Sequence, residues 1–382
     1  MSTWQIPLFD PDLDEREATA VADVVRSKWL TMGDRTSDFE ARFAQYCGAR
    51  HAIAMSNCTA ALHLALNALG VGPGDEVIVP ALTFVATANA VRYCGARPVF
   101  ADVASLDEWN IGRATVEPLI TPRTRAIVVV HYAGYPCDMP AIMDMATEHD
   151  LAVVEDVAHA PGASLDGIAM GTWGDAGCFS FFSNKNMTTG EGGMVTTQQD
   201  PLAERLRRLR SHGMTTLTLD RHKGHAFSYD VVDLGFNYRM SELNAALGLC
   251  QLDRLPAGNA RRTELVARYR AQLATIRGLD VPFAQPRGTP VPHIMPVLLP
   301  PGTDRSAVMR AMKEAGIQPS IHYRPVDTFS AYVDAGLGPA PHLDLTHEIG
   351  DRTVTLPLYP SMTADQVDIV CAALDRALAL PG

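Results

Sequence analysis

Lys185 is the residue whose type and surroundings most clearly suggest chemistry. It follows an apolar stretch, Cys178 to Phe182, and precedes a polar turn that ends in Gly-Glu-Gly-Gly at 190–193. An amine attacks a carbonyl only as its free base, and apolar surroundings lower the pKa of a lysine from about 10.4 because they disfavour the ammonium. Lys185 could therefore form a Schiff base. Residue type alone leaves open the ordinary role of a solvated surface charge.

Asp156 is a second candidate, 29 residues before Lys185, at the end of the run Leu-Ala-Val-Val-Glu-Asp. A carboxylate at the carboxyl edge of a strand could keep a pyridine nitrogen protonated, which makes such a ring an electron sink. A solvated or helix-capping aspartate is the alternative. Glu155 would point to the opposite face of the strand and is the weaker candidate.

The segment Ser56-Asn-Cys-Thr59 follows one predicted strand and opens a predicted helix. A helix N-terminus presents unpaired N–H groups and the positive end of the helix dipole, so a phosphate group binds there readily, with Thr59 adding a hydroxyl. Plain helix capping explains the same residues equally well.

Short apolar runs alternate with helical patterns between residue 51 and about residue 200. Each run has the length of a strand buried on both faces. The alternation predicts an α/β fold with a mainly parallel sheet and helices on both faces, where ligands collect beyond the carboxyl ends of the strands. The predicted strands are His51 to Met55, Glu76 to Val79, Pro98 to Ala101, Ala126 to Val130 and Leu151 to Val154.

The C-terminal third has a different order of elements. Ser241 to Leu255 is strongly helical, Pro256 is expected to end that helix, and Ala260 to Ile276 forms another. A strand, a helix and a strand follow between His293 and Tyr323. We predict a large domain at 1–250 and a smaller α+β domain at 251–382.

Composition limits the partners and the location. A formal net charge of −11 argues against broad affinity for nucleic acid or anionic membrane. The N-terminus lacks a signal-peptide pattern and no long apolar run follows, so we expect a cytoplasmic protein. Seven scattered cysteines and twelve histidines without ligand spacing predict reduced thiols and no metal site.

Five segments in fixed order carry a family resemblance, and together they are highly specific. They are Ser56 to Leu66, Gly74 to Ala90, Val154 to Ala160, Lys185 to Val195 and Gly235 to Ala246. The chain resembles the DegT/DnrJ/EryC1/StrS sugar aminotransferases over nearly its whole length. That family is a branch of the fold-type I enzymes, which use pyridoxal 5′-phosphate (PLP). The resemblance implies a seven-stranded type of sheet in the large domain.

The resemblance also implies roles around the cofactor ring. Lys185 matches the lysine that forms the internal aldimine and later carries protons, while the cofactor alternates between PLP and pyridoxamine phosphate. Asp156 matches the partner of the pyridine nitrogen, and Phe84 matches an aromatic side chain that stacks on the ring. His159 matches a variable position near the 3-hydroxyl, although packing or capping would equally explain a histidine there.

Further matches concern the cofactor phosphate. Thr59, the Ala60 amide and Ser180 match a phosphate-binding cup. Asn237 matches an asparagine that reaches the phosphate of the neighbouring subunit, which implies a homodimer with sites at the interface; turn composition is the alternative. Cys58 replaces the usual glycine of the cup, which puts close approach of the backbone to phosphate in doubt.

Three residues are candidates for substrate binding. Arg239 could receive a donor carboxylate through a bidentate pair, or form an ordinary ion pair. His131 follows the run Ala-Ile-Val-Val-Val and faces the strand ends, unless it satisfies local backbone groups. Lys223 belongs to the only local basic cluster, Arg221 to His225, which could bind a nucleotide diphosphate or be a solvated loop.

The expected reaction is PLP-dependent transfer of an amino group from an amino acid, L-glutamate by resemblance, to a nucleotide-linked 3- or 4-keto-deoxysugar. The nearest alternative is a cyclitol aminotransferase that acts on a keto-inositol. A dehydratase of the same family would lack the lysine, and Lys185 is present. From another class, a non-catalytic regulatory protein would lack a reducible Schiff base.

Overall fold

The computed structural model describes residues 4–216 and 228–379. Among these residues a seven-stranded sheet has the order β1-β9-β8-β5-β4-β2-β3, and β9 alone runs antiparallel to its neighbours. The mainly parallel sheet and all five predicted strands are therefore confirmed. The strands are β1 (His51–Met55), β2 (Glu76–Pro80), β3 (Arg97–Ala101), β4 (Thr124–Val130), β5 (Ala152–Asp156), β6 (Ser164–Leu165), β7 (Ile168–Ala169), β8 (Ala176–Ser180), β9 (Gly193–Thr197), β10 (Met295–Leu298) and β11 (Thr353–Leu356).

Helices cover both faces of the sheet because successive strand residues point to opposite sides. Ile53 and Val77 pack on one face with α3, α4 and α7, whereas Ala52 and Ile78 pack on the other with α2 and α6. The helices are α1 (Glu15–Ser27), α2 (Asp34–Cys47), α3 (Cys58–Ala68), α4 (Ala86–Tyr93), α5 (Arg113–Val116), α6 (Met139–Glu148), α7 (Asp200–Leu209), α8 (Glu242–Leu273), α9 (Arg305–Glu314), α10 (Ser330–Val333), α11 (Asp344–Arg352) and α12 (Ala364–Leu378).

The prediction that Pro256 ends a helix is wrong, because Pro256 lies inside α8, which is 32 residues long. Proline removes one hydrogen bond and strains the preceding turn. Buried residues on both sides of it, among them Leu252, Leu255 and Asn259, keep helical spacing and hold one face against the protein. Packing along that face outweighs the local cost.

A separate apolar core lies in the C-terminal part of the chain. Leu265 and Leu273 of α8 pack there with Val297 of β10 and Leu374 of α12. The pair β10 and β11 is antiparallel, which agrees with a smaller α+β domain. The division at residue 250 stays a prediction, and α8 runs across it.

Among the described residues, none of the helices combines the length and the apolar character needed to span a membrane.

Candidate active site

An open cleft of about 750 Å³ lies beyond the carboxyl ends of the parallel strands. Its walls come from the N-terminus of α3, the segment before α4, the ends of β5 and β8, the turn between β8 and β9, and the segment between α9 and α10. Seven of the predicted binding and catalytic residues line this cleft, and Cys58 lies beside them: Thr59, Ala60, Phe84, Asp156, His159, Ser180 and Lys185.

Lys185 lies in the turn that joins β8 to β9, where its N–H donates to the carbonyl of Phe182. The surrounding protein lowers the pKa of its amine to about 8 because burial disfavours the ammonium, and nearby Asp156 and Cys58 only partly oppose that effect. The amine nitrogen Nζ lies 3.4 Å from Nε2 of His293. Lys185 therefore offers more free base near neutral pH than an ordinary lysine.

Asp156 is the last residue of β5 and is only 5% exposed. Its Oδ2 accepts a hydrogen bond from the hydroxyl of Thr87 at 2.9 Å, and its Oδ1 accepts one from the N–H of Ala158 at 3.1 Å. Burial raises the pKa of the carboxyl, and these two donors together with the Lys185 charge oppose the rise. The carboxylate is thus held in one orientation, facing a cleft where a cation would stabilise it.

Glu155 points to the opposite face of β5, as the strand geometry predicted. Its carboxylate accepts hydrogen bonds from the backbone N–H groups of Gly171, Trp173 and Gly174. It also contacts Nε2 of His131 at 3.1 Å. Glu155 therefore ties a loop to the sheet, away from the cleft.

The structure does not bring His131 to the cleft. The ring is fully buried, its Nδ1 accepts from the N–H of Cys137, and its Nε2 faces Glu155. Because a backbone N–H occupies Nδ1, Nε2 carries the proton. Both nitrogens are satisfied internally, which is the alternative that the sequence left open.

The N-terminus of α3 opens into the cleft beside Ser180. Asn57 caps the helix, since its Oδ1 accepts from the N–H of Ala60 at 2.8 Å, so the Ala60 amide has an internal partner. The first N–H groups of a helix have no partner within it, which leaves those of Cys58 and Thr59 for an anion. Gly193 is required here because a Cβ would lie 2.5 Å from the Asn57 carbonyl carbon.

Cys58 is the first residue of α3 and is 8% exposed. Its backbone is not in the left-handed region, so the position does not need glycine for conformational reasons. All seven cysteines are free thiols. Burial raises the pKa of the Cys58 thiol well above its ordinary value, which keeps it neutral beside the helix N-terminus.

Aromatic side chains form one wall of the cleft. Phe84 is 58% exposed, and its ring centroid lies 5.9 Å from that of Tyr323. His159 is buried, its Nδ1 accepts from the N–H of Ala133, and its Nε2 therefore donates to the hydroxyl oxygen of Tyr323 at 2.9 Å. The hydroxyl proton of Tyr323 remains available to a ligand.

Two further predicted residues, Asn237 and Arg239, do not line the cleft. Asn237 is exposed and forms a backbone bridge with Ser211. Arg239 is partly buried, does not line the cleft, and has its pKa lowered by burial and by Arg210. Lys223 lies outside the described residues.

Sequence reasoning missed Thr87, His293 and Tyr323. Thr87 lies about one helical turn after Thr83, whose hydroxyl it contacts at 3.0 Å, so helical spacing offered a weak signal. Both His293 and Tyr323 come from the C-terminal region; Tyr323 lines the cleft and His293 contacts the Lys185 amine from behind it. No local pattern marks them.

Comparison with known proteins identifies the family. The chain matches the DegT/DnrJ/EryC1/StrS aminotransferase family over residues 11–375. It is 40% identical over 378 residues to the GDP-perosamine synthase of Caulobacter vibrioides, covering 98% of each chain. It is 38% identical over 387 residues to the UDP-4-amino-4-deoxy-L-arabinose–oxoglutarate aminotransferase of Shewanella sediminis, covering 98% of this chain and 99% of that relative.

A solved structure agrees with these relatives. A protein assigned as a sugar aminotransferase from Streptococcus pneumoniae, in its pyridoxamine-phosphate form, superposes with a TM-score of 0.91 at 30% identity, covering 98% of this chain and 99% of that one. The class is therefore that of the PLP-dependent aminotransferases that act on sugars. The chain belongs to the DegT/DnrJ/EryC1/StrS family.

The cleft fits the cofactor in three places. PLP carries an aldehyde, a ring nitrogen and a phosphate. The cleft offers an amine of lowered pKa at Lys185, a buried carboxylate at Asp156, and a helix N-terminus flanked by the hydroxyls of Thr59 and Ser180. Each group of the cofactor thus has a chemical partner on this chain.

Proposed function

We propose that this sugar aminotransferase moves the amino group of L-glutamate to a nucleotide-linked 3- or 4-keto-deoxysugar. The names of two relatives support the acceptor class, since one includes GDP and the other includes UDP and a 4-amino sugar. The second also names oxoglutarate, the keto acid left when glutamate loses its amino group. The observation that carries the proposal is the meeting of Lys185, Asp156 and the α3 N-terminus in one cleft.

Lys185 is proposed to bind the cofactor and then to move protons. When bound, PLP supplies an aldehyde that condenses with amines and a ring that accepts electrons. The free base of Lys185 would hold the cofactor at its aldehyde carbon, with release of one water, until the donor amine takes its place. The Lys185 amine, once free again, would move a proton from the donor α-carbon to the former aldehyde carbon. On the acceptor ketone Lys185 makes the same transfers in reverse.

Asp156 is proposed to keep the ring nitrogen protonated. Thr87 and Ala158 fix its carboxylate. A cationic partner would stabilise the ionised carboxylate and so oppose the rise in pKa that burial causes. Phe84 would cover one ring face, and His159 would fix the hydroxyl of Tyr323 beside Phe84. These residues orient the reacting atoms and exclude water around them.

The phosphate would bind at the N-terminus of α3. Thr59 and Ser180 each add a hydroxyl, and the helix dipole favours the anion. The Ala60 amide, which donates to Asn57, contributes through helix geometry rather than by a free N–H.

A homodimer with shared sites is part of the proposal. Val231, Val232 and Leu234 expose 55%, 56% and 85% of their surface close to Asn237 in the chain. Exposed apolar clusters of this kind are typical of protein interfaces. A second copy seated here would bring its Asn237 toward a phosphate in the cleft of its partner, as the family resemblance implies.

Mixing two inactive variants tests the shared site. Lys185→Ala and Asn237→Ala homodimers are each expected to be impaired, but a heterodimer of the two would contain one site with both residues intact. Co-expression should then restore about a quarter of the wild-type activity, because about half of the dimers are mixed and half of their sites are complete. Activity no higher than that of the two homodimers would mean that Asn237 acts within its own subunit or not at all.

The acceptor class is tested with the pyridoxamine-phosphate form of the protein. It is mixed with nucleotide-linked 4-keto and 3-keto sugars, with the same sugars lacking the nucleotide, and with keto-inositols, while the visible absorbance of PLP is followed. We expect return of the PLP band with a nucleotide-linked keto-sugar, and at least about tenfold slower return without the nucleotide. Fastest return with a keto-inositol would establish the cyclitol alternative instead.

A further inference from the structure

A line of polar side chains leads from Lys185 into the protein, away from the cleft. Nζ of Lys185 lies 3.4 Å from Nε2 of His293, and Nδ1 of that ring lies 3.0 Å from Oδ1 of Asn186. Nδ2 of Asn186 donates to Oδ1 of Asn259 at 2.8 Å, and Nδ2 of Asn259 donates to the carbonyl of Pro161 at 2.9 Å. We call His293, Asn186 and Asn259 the lysine relay.

The far end of the lysine relay fixes its direction. A backbone carbonyl only accepts, so Asn259 must turn its NH₂ group to Pro161 and its oxygen to Asn186. Asn186 must then present its NH₂ to Asn259 and its oxygen to His293. The Val291 carbonyl, 3.4 Å from Nδ2 of Asn186, favours the same orientation.

The tautomer of His293 follows from this direction. Nδ1 faces an amide oxygen and therefore carries the proton, which leaves a lone pair on Nε2 facing Lys185. The ring is 3% exposed, and burial lowers its pKa well below the ordinary value, with the charges of Lys185 and Arg262 adding to the effect. His293 is thus a neutral acceptor.

We propose that Asn186 and Asn259 are positioning residues that hold His293 as a hydrogen-bond acceptor for the Lys185 amine. Lys185 then donates an N–H to the ring, and its own lone pair stays free to attack a carbonyl. In the other tautomer the ring N–H would point at the amine and occupy that lone pair. This inference rests on the proposed role of Lys185 and adds the device that keeps its amine reactive.

The test measures how fast the cofactor-free protein captures PLP, followed by absorbance and fixed with borohydride. Capture replaces the C=O bond of the PLP aldehyde with a C=N bond to Nζ of Lys185, releases one water and leaves all oxidation states unchanged. The groups that face Lys185 are Asp156, Cys58, His159, His293 and His322. For the wild type we expect the rate constant to rise with pH through about 8, the pKa of the amine, because only the free base reacts.

Variants of the lysine relay separate positioning from packing. Asn186→Ala and Asn259→Ala should each slow capture about two- to tenfold above pH 8, the range expected from the loss of one hydrogen bond. Asn186→Asp keeps an acceptor for Nδ1–H, so its plateau rate should approach that of the wild type. Its midpoint should move to higher pH because the carboxylate favours the ammonium.

The matched control is Asn110→Ala. Asn110 is also a buried amide whose Nδ2 donates to backbone carbonyls, those of Tyr135 and Pro136, but it lies outside the lysine relay. Its removal should lower the melting temperature without slowing capture. Melting curves of every variant separate loss of folding from loss of reactivity.

Two kinds of result would overturn the inference. Asn186→Ala and Asn259→Ala could capture PLP as fast as the wild type, or Asn186→Asp could be as slow as Asn186→Ala with an unmoved midpoint. A wild-type protein that captures PLP at no pH, or at another lysine, would instead refute the proposed role of Lys185 and the inference with it.

Discussion

Replacing Lys185 by alanine is expected to lower kcat/KM for amino transfer by at least about a thousandfold, because in the proposed mechanism this one side chain both binds the cofactor and carries every proton. The variant should still bind PLP through Asp156 and the N-terminus of α3, but reversibly. The measurement is a steady-state assay with the acceptor that reacts fastest with the pyridoxamine-phosphate form, together with dialysis of the coloured protein.

Lys313→Ala is the control for Lys185→Ala. Lys313 is exposed on α9, so its loss changes net charge equally and should leave the rate unchanged. Lys185→Arg keeps the charge but provides no free base, since guanidinium does not deprotonate in proteins, and should be as inactive as the alanine variant. A Lys185→Ala variant within about tenfold of the wild type would contradict the proposed mechanism.

The second large effect is expected at Asp156. Asp156→Asn keeps the shape of the side chain but removes the negative charge proposed to hold the ring nitrogen protonated, so kcat should fall by about a hundredfold or more. The absorbance of the bound cofactor should shift as well, because its ring would lose a proton. The absorbance spectrum and kcat are measured on the same preparation, by spectrophotometry and from initial rates.

Glu155→Gln is the matched control, one residue away on the opposite face of β5. The glutamine side chain can still accept hydrogen bonds through one oxygen but must aim its NH₂ group at some of the backbone donors from which Glu155 now accepts. This change should lower the free energy of unfolding by about 1–3 kcal/mol and affect kcat far less. Equal losses of kcat in the two variants would mean that Asp156 acts through folding.

The parallel sheet could be predicted from the sequence because its strands are short, apolar and buried on both faces. β1 matches its predicted bounds, and Asp156 ends β5 as the pattern required. The same pattern placed Asp156 at the end of one strand and Lys185 in the turn after another. A local sequence pattern predicts structure well where the same periodicity determines which side chains are buried and which way they point.

Other parts depended on packing that no local pattern records. Pro256 lies inside α8 because tertiary contacts on both sides of it outweigh a local penalty. His131 follows a strand as expected, yet its partners Glu155 and Cys137 turn it into the core. His293 reaches Lys185 across 108 residues of sequence, and only the packed structure brings the two together.

The strand predicted to end at Tyr323 shows the same limit. In the structure this segment forms only isolated bridges, Ile6 with Ile317 and Ser320 with Thr355. The backbone of this segment thus pairs with two different parts of the chain, and Tyr323 lines the cleft. Tyr323, which forms the aromatic wall of the cleft together with Phe84, thus lies in irregular backbone.

The most direct test of the account is to find where the cofactor is attached. The protein loaded with PLP is reduced with borohydride, digested and mapped by mass spectrometry. We predict one pyridoxyl adduct, on the peptide that contains Lys185, with the visible band lost on reduction. An adduct on any other lysine, or a protein that gains no band and no adduct with PLP, would contradict it.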